Sequence, residues 1–253
     1  MVVGLIGSGN MARALALGWG MPVLCTDALT ERAQALAAEL GGEALETNAE
    51  LAERADLVVL CHKPDQLAEV AHQTKGRAKT VVSILGATPL AAVSNAYPDA
   101  DVFRLLPSTP VEVRQGVLCY VRSGGDVDAE VESSVLELFG RLGAVVPIAE
   151  SLIDVAMGLM SCGPAYMALI VEAQVDAGVR HGIPSAQAAE MVIGTMAGSA
   201  ALLRARDADT LAVRRAVTSP GGSTARGLAA LERAGLRSAF VDALDAVVGV
   251  GRS

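Results

Sequence analysis

The chain has 253 residues, 52% apolar, 19% charged and only 3% aromatic, with a net charge of −8. That composition supports one large or two smaller packed domains and excludes a disordered chain. With no basic stripe to neutralise phosphates, it also excludes a nucleic-acid binder. Four cysteines, Cys25, Cys61, Cys119 and Cys162, form no C-x-x-C pair. They read as reduced thiols of a cytoplasmic protein, with no disulfide frame and no metal site. The opening MVVGLIG carries neither a basic leader nor a cleavage site. The longest uncharged run, Val155 to Val171, contains Gly163-Pro164 and falls short of a membrane span. It reads as a buried helix with a break, in a soluble chain with no membrane partner.

In chain order, MVVGLIGSGNMARALALGW is an apolar strand, a tight glycine turn and then a helical pattern. Gly7, Gly9 and Ala12 fit G-x-G-x-x-(G/A): Gly7 permits the turn, Gly9 admits a pyrophosphate, and Ala12 packs helix on strand. Ser8, Asn10 and Met11 complete the loop and are candidate cofactor contacts with them. The helix that follows offers its positive N-terminus to the anion. A second strand, PVLCTD, ends at Asp27, about twenty residues beyond Gly7. A carboxylate there accepts from both adenosine ribose hydroxyls and repels a 2′-phosphate, which favours NADH. The alternative is a helix cap, since DALTER fits a helix beginning at Asp27 or Thr30.

ADLVVLCHKP carries a buried strand ending at Cys61, with His62-Lys63-Pro64 at its C-terminal end. KTVVSILGAT and DVFRLLPSTP give further strands, and GVLCYVR and AVVPI complete the sheet. Ligands of open parallel sheets gather at the C-terminal ends of strands. His62, Lys63, Pro64 and the Pro107–Pro110 turn with Ser108 are therefore site candidates, against an ordinary solvated lysine at 63. The pattern predicts an α/β, Rossmann-like domain with a mostly parallel sheet over residues 1–150.

From about Ser151 the pattern becomes alanine-rich and helical, with no clear strand. Helices are expected over 152–180, 185–203, 207–216 and 223–250, forming an all-α domain over residues 151–253. The faces of 160–202 are apolar nearly all round and need burial. Pairing with a second subunit supplies it most easily, so a dimer is expected.

A nicotinamide in the first half implies hydride transfer, and something must manage a proton. The only lysines are Lys63, Lys75 and Lys79, so the helical half has none; its one histidine, His181, reads as a helix end. No tyrosine is followed by lysine at the fourth position. Reducing a ketone leaves an alkoxide that demands a good acid, whereas an imine can arrive already protonated. The inventory favours a C=N substrate. In VTSPGGSTARGLAALE (217–232), Gly221 and Gly222 free backbone N–H groups at the mouth of a helix starting near Ser223. Those donors and the helix dipole suit a small carboxylate, and Thr224 offers a neutral hydroxyl to a ring nitrogen. The alternative is a plain capped turn with Ser223 as N-cap.

These residues resemble pyrroline-5-carboxylate reductase across nearly the whole chain. The matching stretches are GLIGSGNMARAL (4–15), TNAEL (47–51), ADLVVLCHKP (55–64), FRLLPSTP (103–110), SCGPAY (161–166) and VTSPGGSTARGLAALE (217–232). The last is the most specific, the family pattern being close to (T/C/S)SPGG(T/A/S)T. The resemblance implies a Rossmann-like domain and a helical domain that interleaves with its partner in a homodimer, often assembled further as five dimers. It implies that Asn48, Lys63 and Pro64 lie along the cofactor, NADH or NADPH, and that the 219–224 loop (Ser219, Gly221, Gly222, Ser223, Thr224) holds the substrate carboxylate. It gives Thr224 the hydrogen bond to the ring nitrogen, with hydride passing to C5 of the pyrroline to give L-proline.

The chain departs from the family in three places. Ser108 stands where the family has asparagine, Ser161-Cys162 where it has Gly-Ser, and SILGATPL is one residue shorter. Many relatives favour NADPH and carry a basic or hydroxyl residue where this chain has Asp27. Two alternatives stay open: a reductase of a related cyclic imine, such as a six-membered piperideine carboxylate, and an idle paralogue that binds nucleotide.

Overall fold

The structure, a computed structural model, describes residues 1–122 and 127–249. The chain forms two compact units, Met1–Cys162 and Gly163–Ser253. In the first, the apolar runs form β1 (Val3–Ile6), β2 (Leu24–Thr26), β3 (Glu43–Ala44), β4 (Leu57–Leu60), β5 (Thr80–Ser83), β6 (Asp101–Pro107), β7 (Gly116–Val121) and β8 (Gly143–Ile148). The helices among them are α1 (Asn10–Trp19), α2 (Thr30–Leu40), α3 (Asn48–Arg54), α4 (Leu67–Gln73), α5 (Leu90–Ala96) and α6 (Ala129–Gly140).

The strands make one eight-stranded sheet in the order β3-β2-β1-β4-β5-β6-β7-β8. Every neighbouring pair is parallel except β6 with β7. Gly4 faces Leu24 on one side and Val58 on the other, so the strand order reverses between β1 and β4. Both faces are covered. Val59, Phe103 and Leu105 enter one core with Leu15 and Phe139 of the helices, while Val58, Leu60 and Val81 enter the other with Leu51 and Val93. Burial on both faces explains why these strands read as unbroken apolar runs.

Among the described residues, the second unit holds only helices. A 3₁₀ turn (Glu150–Leu152) and α7 (Ile153–Met160) precede it. Ile153 and Ala156 pack with Leu106, Cys119 and Val121, which carries the first unit on to Cys162 instead of ending it at 150. The expected helix 152–180 breaks at Ser161-Cys162, and Gly163-Pro164 opens α8 (Gly163–Arg180), where proline costs no hydrogen bond. Next come α9 (Ser185–Arg204) and α10 (Thr210–Ala216). The latter starts late because Asp207 and Ala208 are left-handed (φ 50° and 60°) and Asp209 accepts from Ala212 N at 2.8 Å as its cap.

The expected helix 223–250 is two, α11 (Ser223–Arg233) and α12 (Leu236–Val248), parted at Gly235 with φ 78°; residue 250 lies outside the described residues. Among the described residues of α8–α12 only Ala188 is buried, while Leu169, Met191, Ile193 and Val241 are more than half exposed. The burial expected for these faces is therefore not achieved by one chain. Two stretches, Glu150–Arg180 and Ser185–Arg204, are long and apolar enough to cross a membrane.

Candidate active site

In the first unit the candidate residues follow strand ends along one edge of the sheet. Gly7, just past β1, has φ 99°, and a Cβ there would stand 2.7 Å from the Cys61 carbonyl group and 2.8 Å from His62 N. Only glycine lets the end of β1 lie against the end of β4. Gly9 is the N-cap of α1; no side chain caps that helix and its first turn holds no acid. A Cβ on Gly9 would meet nothing within 4 Å. The free N–H groups of the first turn thus open onto empty space, which fits a pyrophosphate. Ala12 is buried on the sheet side, Asn10 is exposed, and Met11 packs partly against the core.

Asp27 follows β2. Its Oδ2 accepts from Ser8 N at 2.7 Å and its Oδ1 from Leu29 N at 2.9 Å. The carboxylate therefore ties the glycine loop to the turn leading into α2, whose N-cap is Leu29. With a second lone pair on each oxygen, it still has acceptors for ribose hydroxyls. Neighbouring Thr26 donates through Oγ1 to Asn48 Oδ1 at 2.5 Å, and Asn48 Nδ2 donates to Gln73 Oε1 at 2.6 Å. Asn48 is thus fixed beside the end of β2.

His62, Lys63 and Pro64 follow β4. His62 Nδ1 lies 2.8 Å from the Lys63 carbonyl oxygen. A carbonyl only accepts, so Nδ1 carries the proton; Nε2 is bare, buried and, among the described residues, without a partner. Burial holds the His62 pKa below its ordinary value and pushes the adjoining Cys61 thiol up. Lys63 and Pro64 are exposed, and Lys63 N donates to Gln66 Oε1 at 3.2 Å. After β6, Ser108 is buried; its N–H donates to Val117 O and its Oγ accepts from Val117 N, both at 2.9 Å. Its hydroxyl proton remains available.

Sequence reasoning passed over Arg104 and Glu150. Arg104 is 2% exposed in the middle of β6. It donates through Nη1 to Glu150 Oε1 and through Nη2 to Gly86 O at 2.8 Å. The available signal was a charge inside the apolar run VFRLL.

In the second unit, Gly221 has φ 68°, and the Gly222 N–H, expected to be free, instead donates to Ser219 O at 3.1 Å and closes the turn. Gly222, not Ser223, is the N-cap of α11; no side chain caps the helix and its first turn holds no acid. That removes the capped-turn alternative. Ser223 and Thr224 form the first turn and are exposed, and Arg226 donates through Nη1 to Gly221 O at 2.7 Å. The uncapped N–H groups and the helix dipole suit a carboxylate, with a hydroxyl alongside.

A family model described as pyrroline-5-carboxylate reductase dimerisation matches residues 150–252. The pyrroline-5-carboxylate reductase of Synechocystis sp. is 34% identical over 201 residues, covering 79% of this chain and 75% of the relative. That of Corynebacterium melassecola is 32% identical, covering 96% and 95%. The chain belongs to the pyrroline-5-carboxylate reductase family. A crystal structure of the Plasmodium falciparum pyrroline carboxylate reductase with NADP bound is similar at a TM-score of 0.85 and 26% identity, covering 98% of this chain and 95% of that one. Residues 2–86 also match a family described as NADP oxidoreductase, coenzyme F420-dependent. As a member of the reductase family the chain is an NAD(P)H-dependent oxidoreductase, and the Gly7–Met11 turn, the open space at Gly9 and the uncapped α1 fit its nicotinamide cofactor.

Proposed function

We propose that this chain reduces the C=N bond of 1-pyrroline-5-carboxylate to L-proline, the last step of proline biosynthesis, with Thr224 at the reacting ring. The observation that carries the assignment is the uncapped mouth of α11, where free N–H groups and the Thr224 hydroxyl stand in one turn. The Ser219–Thr224 loop binds the substrate carboxylate through those donors. Thr224 Oγ1 orients the ring nitrogen. When bound, the reduced nicotinamide supplies the hydride. Because the nitrogen arrives protonated, hydride addition to the ring carbon leaves a neutral amine and no alkoxide needing an acid. That agrees with a helical half that has no lysine.

Gly7, Ser8, Gly9, Asn10 and Met11 bind the pyrophosphate, and Asp27 with Asn48 the adenosine half. His62, Lys63, Pro64 and Ser108 line the nicotinamide half. Asp27 favours NADH over NADPH, because a carboxylate accepts from ribose hydroxyls and repels a 2′-phosphate. The bare apolar faces of α8 and α9 are covered by a second copy, making a cytoplasmic homodimer that can build to a decamer, and no membrane is involved. The first unit, up to Cys162, binds the cofactor, and the helices beyond it carry dimerisation and the substrate loop.

The test is Thr224→Ala, assayed with pyrroline carboxylate. Loss of one hydrogen-bond donor at the reacting centre should lower kcat/KM by about 10²-fold. Full turnover by the variant would remove Thr224 from the reaction. If wild-type protein reduced only a six-membered imine carboxylate, the ring-size assignment would fall, and a chain that reduced neither would be the idle paralogue.

A further inference from the structure

Arg104 is a buried cation within the sheet, and its guanidinium is split between two chain segments. Nη1 serves Glu150 Oε1 and Nη2 serves Gly86 O, while Nε is buried with no partner among the described residues. A guanidinium set for ion pairing alone would grip the carboxylate with both arms of its fork. Here one arm is spent on a loop carbonyl and Nε goes unsatisfied, which is costly in a buried site. Such an arrangement fixes position at the expense of stability. Glu150 Oε1 also accepts from Leu90 N at 2.6 Å, so the same carboxylate pins the start of α5. Both ends of the Ile84–Pro89 loop are therefore held: Ile84 N donates to Leu60 O at 3.3 Å, and Leu90 is tied to Glu150.

That loop follows β5 on the edge that carries Gly7 and His62, and on the opposite side of β1 from Asp27. In a sheet whose order reverses between β1 and β4, a dinucleotide lies across the reversal. With the adenosine half on the Asp27 side, the β4–β5–β6 side takes the nicotinamide half. Peptide bonds here are trans, so the carbonyl of one residue and the N–H of the next point in opposite directions. Gly86 O is drawn in towards Arg104; the Ala87 N–H therefore faces out, and among the described residues it meets no acceptor.

We propose that Arg104 is a positioning residue for the nicotinamide: it holds the Gly86 carbonyl inward so that the Ala87 N–H faces out of the loop as a donor to the carboxamide oxygen. Glu150 is the counter-charge that keeps the guanidinium in place. This inference rests on the proposed use of a nicotinamide cofactor at this edge.

The test compares two ligands by calorimetric titration of the full chain: NADH, and ADP-ribose, which lacks the nicotinamide. Arg104→Lys keeps the charge but cannot span both partners. It should bind ADP-ribose as wild type does and NADH about two- to tenfold more weakly, the worth of one hydrogen bond. With pyrroline carboxylate its kcat should fall while KM for the imine stays unchanged. Equal weakening of both ligands, as a merely structural role would give, overturns the proposal, and so does unchanged NADH binding. If circular dichroism shows Arg104→Lys unfolded, Glu150→Gln decides by the same comparison, with a smaller NADH-specific loss expected. Wild-type protein that binds both ligands yet reduces no pyrroline carboxylate removes the substrate assignment alone and leaves the ligand comparison decisive. Wild-type protein that binds neither removes both.

Discussion

Two glycines in one turn make opposite predictions, and the difference comes from what a methyl group would meet. At Gly7 the backbone is left-handed at φ 99°, and an added Cβ would stand 2.7 Å from the Cys61 carbonyl carbon and oxygen. The left-handed conformation costs an alanine about 1–2 kcal/mol, and pressing on backbone that cannot swing away costs about 1–3 kcal/mol more. Gly7→Ala should therefore lose about 2–5 kcal/mol and lower the thermal midpoint by about 4–20 °C, with nucleotide binding lost as the β1 and β4 ends part. At Gly9 the backbone is ordinary, φ −78°, and a Cβ would meet nothing within 4 Å. Gly9→Ala should cost about 1 kcal/mol or less in stability. Yet it fills the space assigned to the pyrophosphate and should weaken NADH at least about tenfold. Thermal melts and calorimetric NADH titrations on the two variants check this directly. A Gly9→Ala variant with wild-type affinity would refute the placement of the pyrophosphate, and a Gly7→Ala variant with an unchanged midpoint would refute the close approach of the strand ends.

Further outcomes follow from the same residues. Asp27→Ser should lower the NADH-to-NADPH ratio of kcat/KM by about tenfold, as about 1.4 kcal/mol of charge repulsion is relieved; an unchanged ratio takes Asp27 off the ribose. His62 is held neutral by burial, below its ordinary pKa of 6.5. The unfolded chain gains that proton first, so the contribution is complete above pH 6.5 and declines as pH falls towards the lowered folded value. Urea midpoints at pH 7.5 and pH 5 should therefore fall more for wild type than for His62→Gln, and parallel losses would contradict the buried neutral ring. Light scattering should give the mass of at least two chains, since α8 and α9 leave Leu169, Met191 and Ile193 bare; a stable monomer would sink the pairing.

What the sequence made legible was mostly local. The G-x-G-x-x-A turn, the strands and the polar mouth at 219–224 are each set by a few neighbouring residues, and the structure has them close to where they were expected. Three kinds of feature were not local. The need for glycine at position 7 comes partly from Cys61 and His62, which reach it only through strand pairing. Asp27 read as a ribose ligand with a cap as the alternative, and its bond to Ser8 N across the β1–β2 edge had no sequence pattern of its own. The Arg104–Glu150 pair joins residues far apart in the chain. β3, with only two residues, is too short to show an alternation. The break at Gly235 was visible as a glycine in a helical run, but continuous apolar spacing on either side masked it. The bare helical faces were legible as apolar, while the surface that covers them lies outside a single chain.

The most direct test is nicotinamide oxidation by the purified chain given 1-pyrroline-5-carboxylate, run side by side with NADH and NADPH. The expected result is rapid turnover with proline as the product and NADH as the better cofactor. NADPH as the better cofactor would overturn the role given to Asp27 alone. No turnover with either, in a folded protein that still binds nucleotide, would contradict its assignment as a reductase of 1-pyrroline-5-carboxylate.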